Sequence, residues 1–124
     1  MAQNPDRMGM EEAFEVAATL AGIDRTVHEP ARLVILAALR AFESADFLFL
    51  LRQTGLTRGN LSSHLSKLEA AHYVSIQKEF VDKVPRTLVR LTERGRTALS
   101  TYGQSMGSVL SELRKSSDEG TRWG

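Results

Sequence analysis

The sequence has no cysteine and no long apolar run, and these two absences already exclude several classes of protein. Without cysteine the chain forms neither disulfides nor thiolate metal sites, which fits a reducing compartment. No apolar stretch approaches the roughly 20 residues of a membrane span. The first residues also lack the basic-then-apolar pattern of a secretion signal. We therefore expect a globular cytoplasmic protein that makes no contact with a membrane.

Short enzyme motifs are absent as well: there is no Walker loop, GxGxxG, HExxH or CxxC. The three histidines, His28, His64 and His72, lie far apart in the sequence. Ser63 and His64 are neighbours on a predicted helix and point in different directions, so they do not form a catalytic pair. The sequence predicts no catalytic residue, no metal site and no cofactor, and an enzyme is the weakest interpretation.

The charge of the chain is small overall but unevenly distributed. The formal net charge is +1. Residues 1–30 hold two basic and six acidic side chains, a net of −4, whereas residues 31–96 hold eleven basic and six acidic ones, a net of +5. Residues 97–124 hold three of each and are neutral. The basic middle of the chain suits a polyanionic partner.

A helix with two different faces is predicted over residues 57–71. Leu61, Leu65 and Leu68 recur at helical spacing and form one narrow apolar stripe. Thr57 can cap the helix, because its hydroxyl can accept a hydrogen bond from a free backbone N–H. The other side is small, polar and basic, which favours a helix that fits into a groove. Its residues are Thr57, Arg58, Gly59, Asn60, Ser63, Ser66 and Lys67.

Three more helices are predicted before this one, over residues 10–21, 30–42 and 47–53. Pro30 suits a first helical turn because it lacks a backbone N–H. Ser44 and Asp46 offer caps for the third helix. Residues 1–9 are predicted to be disordered.

The periodicity changes after Tyr73. Alternating residues predict two strands, over residues 73–80 and 86–91, which form a β-hairpin. Residues 81–85 are predicted to be its loop, which carries Lys83, and Arg86 opens the second strand. Thr92 then caps a long helix.

The long C-terminal helix carries an apolar seam with helical spacing. Its residues are Leu99, Tyr102, Met106, Val109 and Leu113. This seam could pack on the chain's own first helix or on a second copy, and we favour a homodimer in which Phe14 also takes part. Gly103 and Gly107, beside the seam, would mark a close approach of backbones. The predicted domain spans residues 10–115, followed by a flexible tail over 116–124.

Three stretches resemble MarR- and ArsR-type transcriptional regulators of bacteria and archaea. Residues 56–69, LTRGNLSSHLSKLE, resemble the recognition helix of these regulators, and Tyr73-Val74 resembles the first strand of the wing. Residues 84–96, VPRTLVRLTERGR, resemble the second wing strand and the "LT..G" start of the last helix. The likeness covers about Thr26 to Leu99 and is closest to small single-domain regulators with a "PRT" wing. His72 departs from it, since this position is usually glycine there.

The resemblance implies a mainly α protein with a β-hairpin (α+β), a winged helix-turn-helix with additional N- and C-terminal helices. It implies a regulator that binds double-stranded DNA, with the helix over 57–71 in the major groove and the wing, about 80–87, on the minor groove or backbone. Arg58 can reach a guanine edge or a phosphate, and Asn60 can pair with adenine. Ser63 and Ser66 suit phosphates or close base contacts, Lys67 suits the backbone, and Lys83 and Arg86 suit the adjacent minor groove or its phosphates.

Other interpretations stay open at this point. A winged helix can bind protein instead of DNA. A small-molecule effector could bind between the end helices and the core, although the absence of cysteine argues against the thiolate metal sensing of some ArsR-type regulators. A two-fold dimer would place two recognition helices about one DNA turn (~34 Å) apart.

Overall fold

The computed structural model describes residues 9–123 and the side chains of residues 9–115. This part of the chain contains five helices and one three-stranded antiparallel sheet. The elements are α1 Met10–Ala21, α2 Pro30–Phe42, β1 Ser44–Asp46, α3 Phe47–Thr54, α4 Arg58–Ala70, β2 Val74–Val81, β3 Val84–Leu91 and α5 Glu93–Trp123. The chain divides into two compact units, residues 24–100 and the two terminal segments. The predicted α+β winged-helix order of elements is confirmed.

The core of the unit over residues 24–100 is built from the apolar stripes of three helices and the inner face of the sheet. Helical spacing places these side chains on one side of each helix, and burying each one contributes about 1.5–3 kcal/mol. The core side chains that are fully buried are Val27, Ile35, Leu36, Leu39, Leu50, Leu61, Leu68 and Val89. The leucine stripe of α4 therefore lies against the core, as its periodicity predicts.

Side chains cap the three central helices. The Glu29 carboxylate accepts a hydrogen bond from the N–H of Arg32 (2.7 Å), and Pro30 stands in the first turn of α2. The Asp46 carboxylate accepts from the N–H of Phe49 (2.7 Å) at the start of α3. The predicted cap of α4 is confirmed, since the Thr57 hydroxyl accepts from the N–H of Asn60 (3.2 Å). These caps fix the start of each helix.

The sheet has the strand order β1-β3-β2, with both pairs antiparallel. The sequence does not predict strand β1, because Ser44 and Asp46 both have the character of helix caps. Asp46 is indeed the cap of α3, but Ser44 is paired with Arg90 in the sheet. Three residues are too few to show alternation, so this strand is defined by its pairing with β3 and not by its own pattern.

The hairpin turn is shorter than predicted. Strands β2 and β3 extend to Val81 and Val84, so only Asp82 and Lys83 lie between them, and the prediction of a loop over 81–85 is wrong. Both turn residues have positive φ, 51° and 68°. Two-residue hairpin turns need positive φ because their twist must match the twist of the strands. The usual sequence signal for such a turn is Asn-Gly, which is missing here.

A compact joint connects α4 to the sheet and the sheet to α5. His72 has a φ of 64°, the left-handed conformation expected where related chains carry glycine. The Tyr73 carbonyl accepts from the N–H of Thr92 (3.1 Å), and the Thr92 hydroxyl accepts from the N–H of Gly95 (3.0 Å). A Cβ at Gly95 would lie 2.1 Å from the Tyr73 carbonyl oxygen. Only glycine therefore allows this approach of α5 to the backbone.

The second unit contains α1 and the C-terminal part of α5. Val109 is buried here within the single chain, at 4% exposure, whereas Phe14 and Leu113 are 68% and 50% exposed. Helix α5 continues to Trp123, past the boundary at residue 115 that we predicted. The side chains of the predicted tail, and the predicted disordered residues 1–8, lie outside the described residues.

Candidate nucleic-acid interface

The outward face of α4 is open to solvent along its whole length. All seven residues that the sequence assigned to this face are exposed: Thr57, Arg58, Gly59, Asn60, Ser63, Ser66 and Lys67. Ser62 is exposed too and was not predicted. No carboxylate occurs before Glu69, so a polyanion can approach the face without repulsion from this helix. The face combines hydrogen-bonding side chains with two cations.

Part of the wing lies close to the start of α4. Arg58 and Arg86 line one groove of about 590 Å³, together with Val81, Val84 and Pro85 of the wing. The structure therefore brings an arginine of the helix and an arginine of the hairpin to a single surface. Lys83 is exposed at the hairpin turn and is absent from the lining of this groove.

Arg86 is held by an acidic neighbour. Its Nη2 lies 3.1 Å from Oδ2 of Asp46, while Oδ1 of the same carboxylate accepts from the N–H of Phe49. The Arg86 side chain is still 47% exposed. An exposed ion pair of this kind contributes about 0–1 kcal/mol, so a phosphate can compete for the guanidinium.

Arg32 is buried behind α4, and the sequence analysis did not identify it. Its Nε donates to the Thr26 carbonyl (2.6 Å) and its Nη2 to the Arg25 carbonyl (3.3 Å). Its Nη1 lies 3.1 Å from Nδ1 of His64 on α4. Because a guanidinium only donates hydrogen bonds, Nδ1 of His64 is the acceptor in this contact. Arg32 therefore joins α2, the preceding loop and α4.

Glu29 completes this cluster. Its Oε2 lies 3.8 Å from Nδ1 of His64 and accepts from the N–H of Arg32. Burial alone would raise the pKa of Glu29, but hydrogen bonds from the backbone N–H groups of Arg32 and Ala31 outweigh it, with help from the nearby charges. The pKa of Glu29 is therefore below its usual value, which keeps the capping carboxylate ionised.

A second polar contact fixes the base of the wing. The Tyr73 hydroxyl donates to Oδ2 of Asp24, and Oδ1 of Asp24 accepts from the N–H groups of Thr26 and Val27 at 2.9 and 3.2 Å. The hydrogen bond to Asp24 first, and burial second, raise the pKa of Tyr73. The loop whose carbonyls accept from Arg32 is thus tied to Tyr73, which directly precedes β2.

Among the side chains that the structure describes, no group of three or more His, Asp or Glu is placed to hold a metal ion. Within the same part of the chain, no helix is both long and apolar enough to cross a membrane.

The fold and this open, carboxylate-free helix face define a winged-helix protein, and residues 31–110 match the winged helix DNA-binding domain family. The chain belongs to this family, and the prediction of a small winged-helix regulator is confirmed. Family and fold are those of DNA-binding transcriptional regulators.

Particular relatives support this assignment. An uncharacterised protein of Methanocaldococcus jannaschii is 37% identical over 71 residues, which cover 57% of this chain and 77% of that protein. A transcriptional regulator homologue from Pyrococcus horikoshii OT3 has a similar structure, with a TM-score of 0.71, 31% identity, and coverage of 84% of this chain and 98% of that one. A MarR variant from E. coli, solved with operator DNA, is similar in fold alone, with a TM-score of 0.56, 19% identity, and coverage of 84% and 80%.

Proposed function

We propose that the chain reads duplex DNA as a homodimer, with α4 in the major groove and the wing on the adjacent minor groove or backbone. The observation that carries this proposal is the exposed outer face of α4, which continues through Arg58 into the groove that also contains Arg86. A helix of this width fits the major groove, where each base pair shows a distinct pattern of donors and acceptors.

The helix and the wing have different roles in this proposal. Asn60 is exposed in the first turn of α4, and its amide can pair in a bidentate manner with adenine. Arg86 and Lys83 contact phosphates or the minor groove and so fix register instead of sequence. Gly59 has open space around it, which would let the helix approach the DNA closely.

The class of function is tested by a salt titration. Phosphate contacts release counterions, so the logarithm of the binding constant should fall linearly as the logarithm of salt concentration rises. A fluorescent duplex that the protein selects from a random-sequence pool, and the DNA upstream of its own gene, are titrated at several salt concentrations. Absence of binding at low salt, or binding that salt does not change, would contradict the proposal and favour a protein-binding winged helix.

The division of roles is tested with two variants on two DNAs. Asn60→Ala should cost about 1–3 kcal/mol on the selected duplex and little on random DNA, as expected for a base contact. Arg86→Ala should lower the affinity for both DNAs to the same extent. If Asn60→Ala lowered the affinity for both DNAs equally, Asn60 would read no base.

The dimer is proposed from the remaining exposure of the end helices. Phe14 and Leu113 are largely exposed, Leu99, Tyr102 and Met106 are half-buried, and only Val109 of the predicted interface is covered by the chain itself. A Cβ built at Gly103 or Gly107 meets nothing within 4 Å, so a partner helix could approach there.

Light scattering distinguishes the monomer from the dimer. The wild-type chain should have the mass of a dimer at micromolar concentration, and Met106→Glu should lower it towards the monomer because a charge would enter the apolar contact. Thr101→Glu, an exposed position on the same helix, is the matched control and should stay dimeric. A monomeric wild type, or a Met106→Glu dimer, would refute the proposal.

A further inference from the structure

The end of the wing is apolar on both of its faces. We define the wing tip as residues 80–85. Phe80 pairs with Pro85, and Val81 pairs with Val84. Neighbouring strand residues point to opposite faces, so the first pair lies on one face and the second pair on the other. Phe80, Val81 and Val84 are 75%, 39% and 62% exposed.

The base of the same hairpin is built differently. Val74 and Leu91 are paired and buried against the core, as is Val89 opposite Ile76. The opposite face at the base carries Ser75 paired with Arg90, both exposed. The base thus follows the usual arrangement, with one apolar face and one polar face. Packing within the folded unit explains the apolar residues of the base, whereas Phe80 and Val84 of the tip remain largely exposed.

We propose that the wing tip enters the DNA minor groove as an apolar wedge. This inference rests on the proposed DNA binding and adds a mode of recognition to it. A flat partner surface would cover only one face of a hairpin, whereas the two walls of a groove cover both. Exposed apolar side chains on both faces therefore favour a groove as the partner.

The position of the tip and the cations beside it indicate that this groove belongs to DNA. Val81, Val84 and Pro85 line the same surface as Arg58 at the start of α4, so the tip continues the DNA-facing surface of the helix. Lys83 lies exposed at the turn itself, and Arg86 follows directly. The turn itself carries Asp82 beside Lys83 and has no net charge, so Arg58 and Arg86 supply the cations that suit a groove bordered by phosphates and floored by bases.

Entry of the tip requires the DNA to deform. The minor groove of B-DNA is about 6 Å wide, and two strands of a hairpin are about 4.8 Å apart before their side chains are counted. The groove must therefore open, and apolar side chains that press between base steps bend the duplex towards the major groove. Sites with flexible pyrimidine–purine steps under the wing should then be preferred, without a hydrogen bond to those bases.

Binding and bending of one DNA test this inference. A duplex of about 30 base pairs, selected by the wild-type chain from a random-sequence pool, carries a fluorescence donor and acceptor at its two ends. The wild type should shorten the end-to-end distance on binding. Phe80→Thr, which keeps a residue that favours strands, should bind about tenfold more weakly and bend the DNA less, because an apolar contact of this size is lost.

Val34→Thr is the matched control. Val34 lies on α2 at 46% exposure, outside the wing, so its loss should change neither binding nor bending. Val84→Thr makes the same chemical change at the wing tip and should reduce both the affinity for the DNA and its bending. Thermal unfolding of all three variants should match that of the wild type, since each position is exposed.

A minor-groove readout completes the test. Replacing G·C by inosine·cytosine under the wing removes the amino group from the minor groove and leaves the major groove pattern in place. The wild type should bind the substituted duplex more tightly than the unsubstituted one, and this gain in affinity should be smaller for Phe80→Thr. A Phe80→Thr protein that binds and bends DNA like the wild type would overturn the wedge and leave the proposed function standing. A wild type that enriches no duplex would overturn both.

Discussion

The two sides of α4 are built on different principles. Behind the helix, Leu61, Leu65 and Leu68 are buried, and Arg32 forms three directed hydrogen bonds in the same region. In front of it, every side chain that we assign to DNA is exposed, and the Thr57 hydroxyl accepts a hydrogen bond from its own helix. The inner side therefore determines where the helix lies, and the outer side leaves its hydrogen-bonding groups available to DNA.

This difference implies that stability and DNA affinity can be changed separately. Substitutions on the inner side should lower the free energy of unfolding and affect DNA binding only through the position or population of the folded helix. Substitutions on the outer side should change affinity at nearly constant stability.

The largest expected effect on stability is at the joint that connects α4 to the sheet and the sheet to α5. Gly95→Ala would place a Cβ against the Tyr73 carbonyl oxygen. The backbone fixes the position of the Cβ, and the carbonyl is itself part of the backbone, so neither can move without distorting the fold. We expect a loss of about 3 kcal/mol in the free energy of unfolding, measured by urea denaturation. Gly59→Ala on the outer side meets nothing within 4 Å and should leave stability unchanged or raise it slightly. Equal stability of the two variants would refute the comparison.

Arg32→Met should have the next largest effect. Methionine fills a similar volume but leaves the Thr26 and Arg25 carbonyls and Nδ1 of His64 without their donor. We expect a loss of about 2 kcal/mol in the free energy of unfolding. Arg40→Met, an exposed arginine of the same helix, is the control and should change stability by less than about 0.5 kcal/mol. A fully stable Arg32→Met protein would show that the buried network contributes little.

A smaller effect with a pH signature is expected at Tyr73. Its raised pKa means that the hydrogen bond to Asp24 stabilises the fold fully below about pH 10 and is lost as the pH rises through the folded-state pKa. Tyr73→Phe should lower the free energy of unfolding by about 1 kcal/mol at pH 7. The difference from the wild type should shrink above pH 10. A difference that stays constant from pH 7 to 11 would contradict this linkage.

The smallest effect on stability is expected on the outer side. Ser66→Ala should change the free energy of unfolding by less than about 0.5 kcal/mol, because the hydroxyl is exposed on α4. Its affinity for a selected duplex should fall all the same, since a phosphate or base contact is removed. The assay is the same fluorescence titration at fixed salt. Unchanged affinity would remove Ser66 from the proposed DNA-binding face.

Long periodic elements could be predicted from the sequence. The bounds predicted for α1 and α2 agree with the structure, and the exposure predicted for the outer face of α4 is confirmed, because a repeat over several turns indicates which side is buried. The contacts with DNA that we assign to that face remain predictions.

The features that we missed depend on contacts between distant parts of the chain. Strand β1 is defined by its pairing with β3, and an arginine such as Arg32 on an apolar helix has the same sequence pattern whether it is solvated or buried. The mistaken hairpin loop has a local cause, since Asp82 and Lys83 adopt a backbone conformation that is usually signalled by Asn-Gly. From the sequence, Gly95 stands out only as part of a resemblance, and the close approach of its backbone to the Tyr73 carbonyl gives the physical reason for glycine there.

The Asp82-Lys83 turn has a consequence for how the chain could be engineered. Both residues hold a left-handed backbone that glycine adopts without strain, and each costs the folded hairpin some free energy. Lys83 nevertheless places a positive charge at the outermost point of the wing. Glycine would relieve the backbone strain at this position, so a variant made by consensus-type replacement would lose this charge in exchange for a less strained turn.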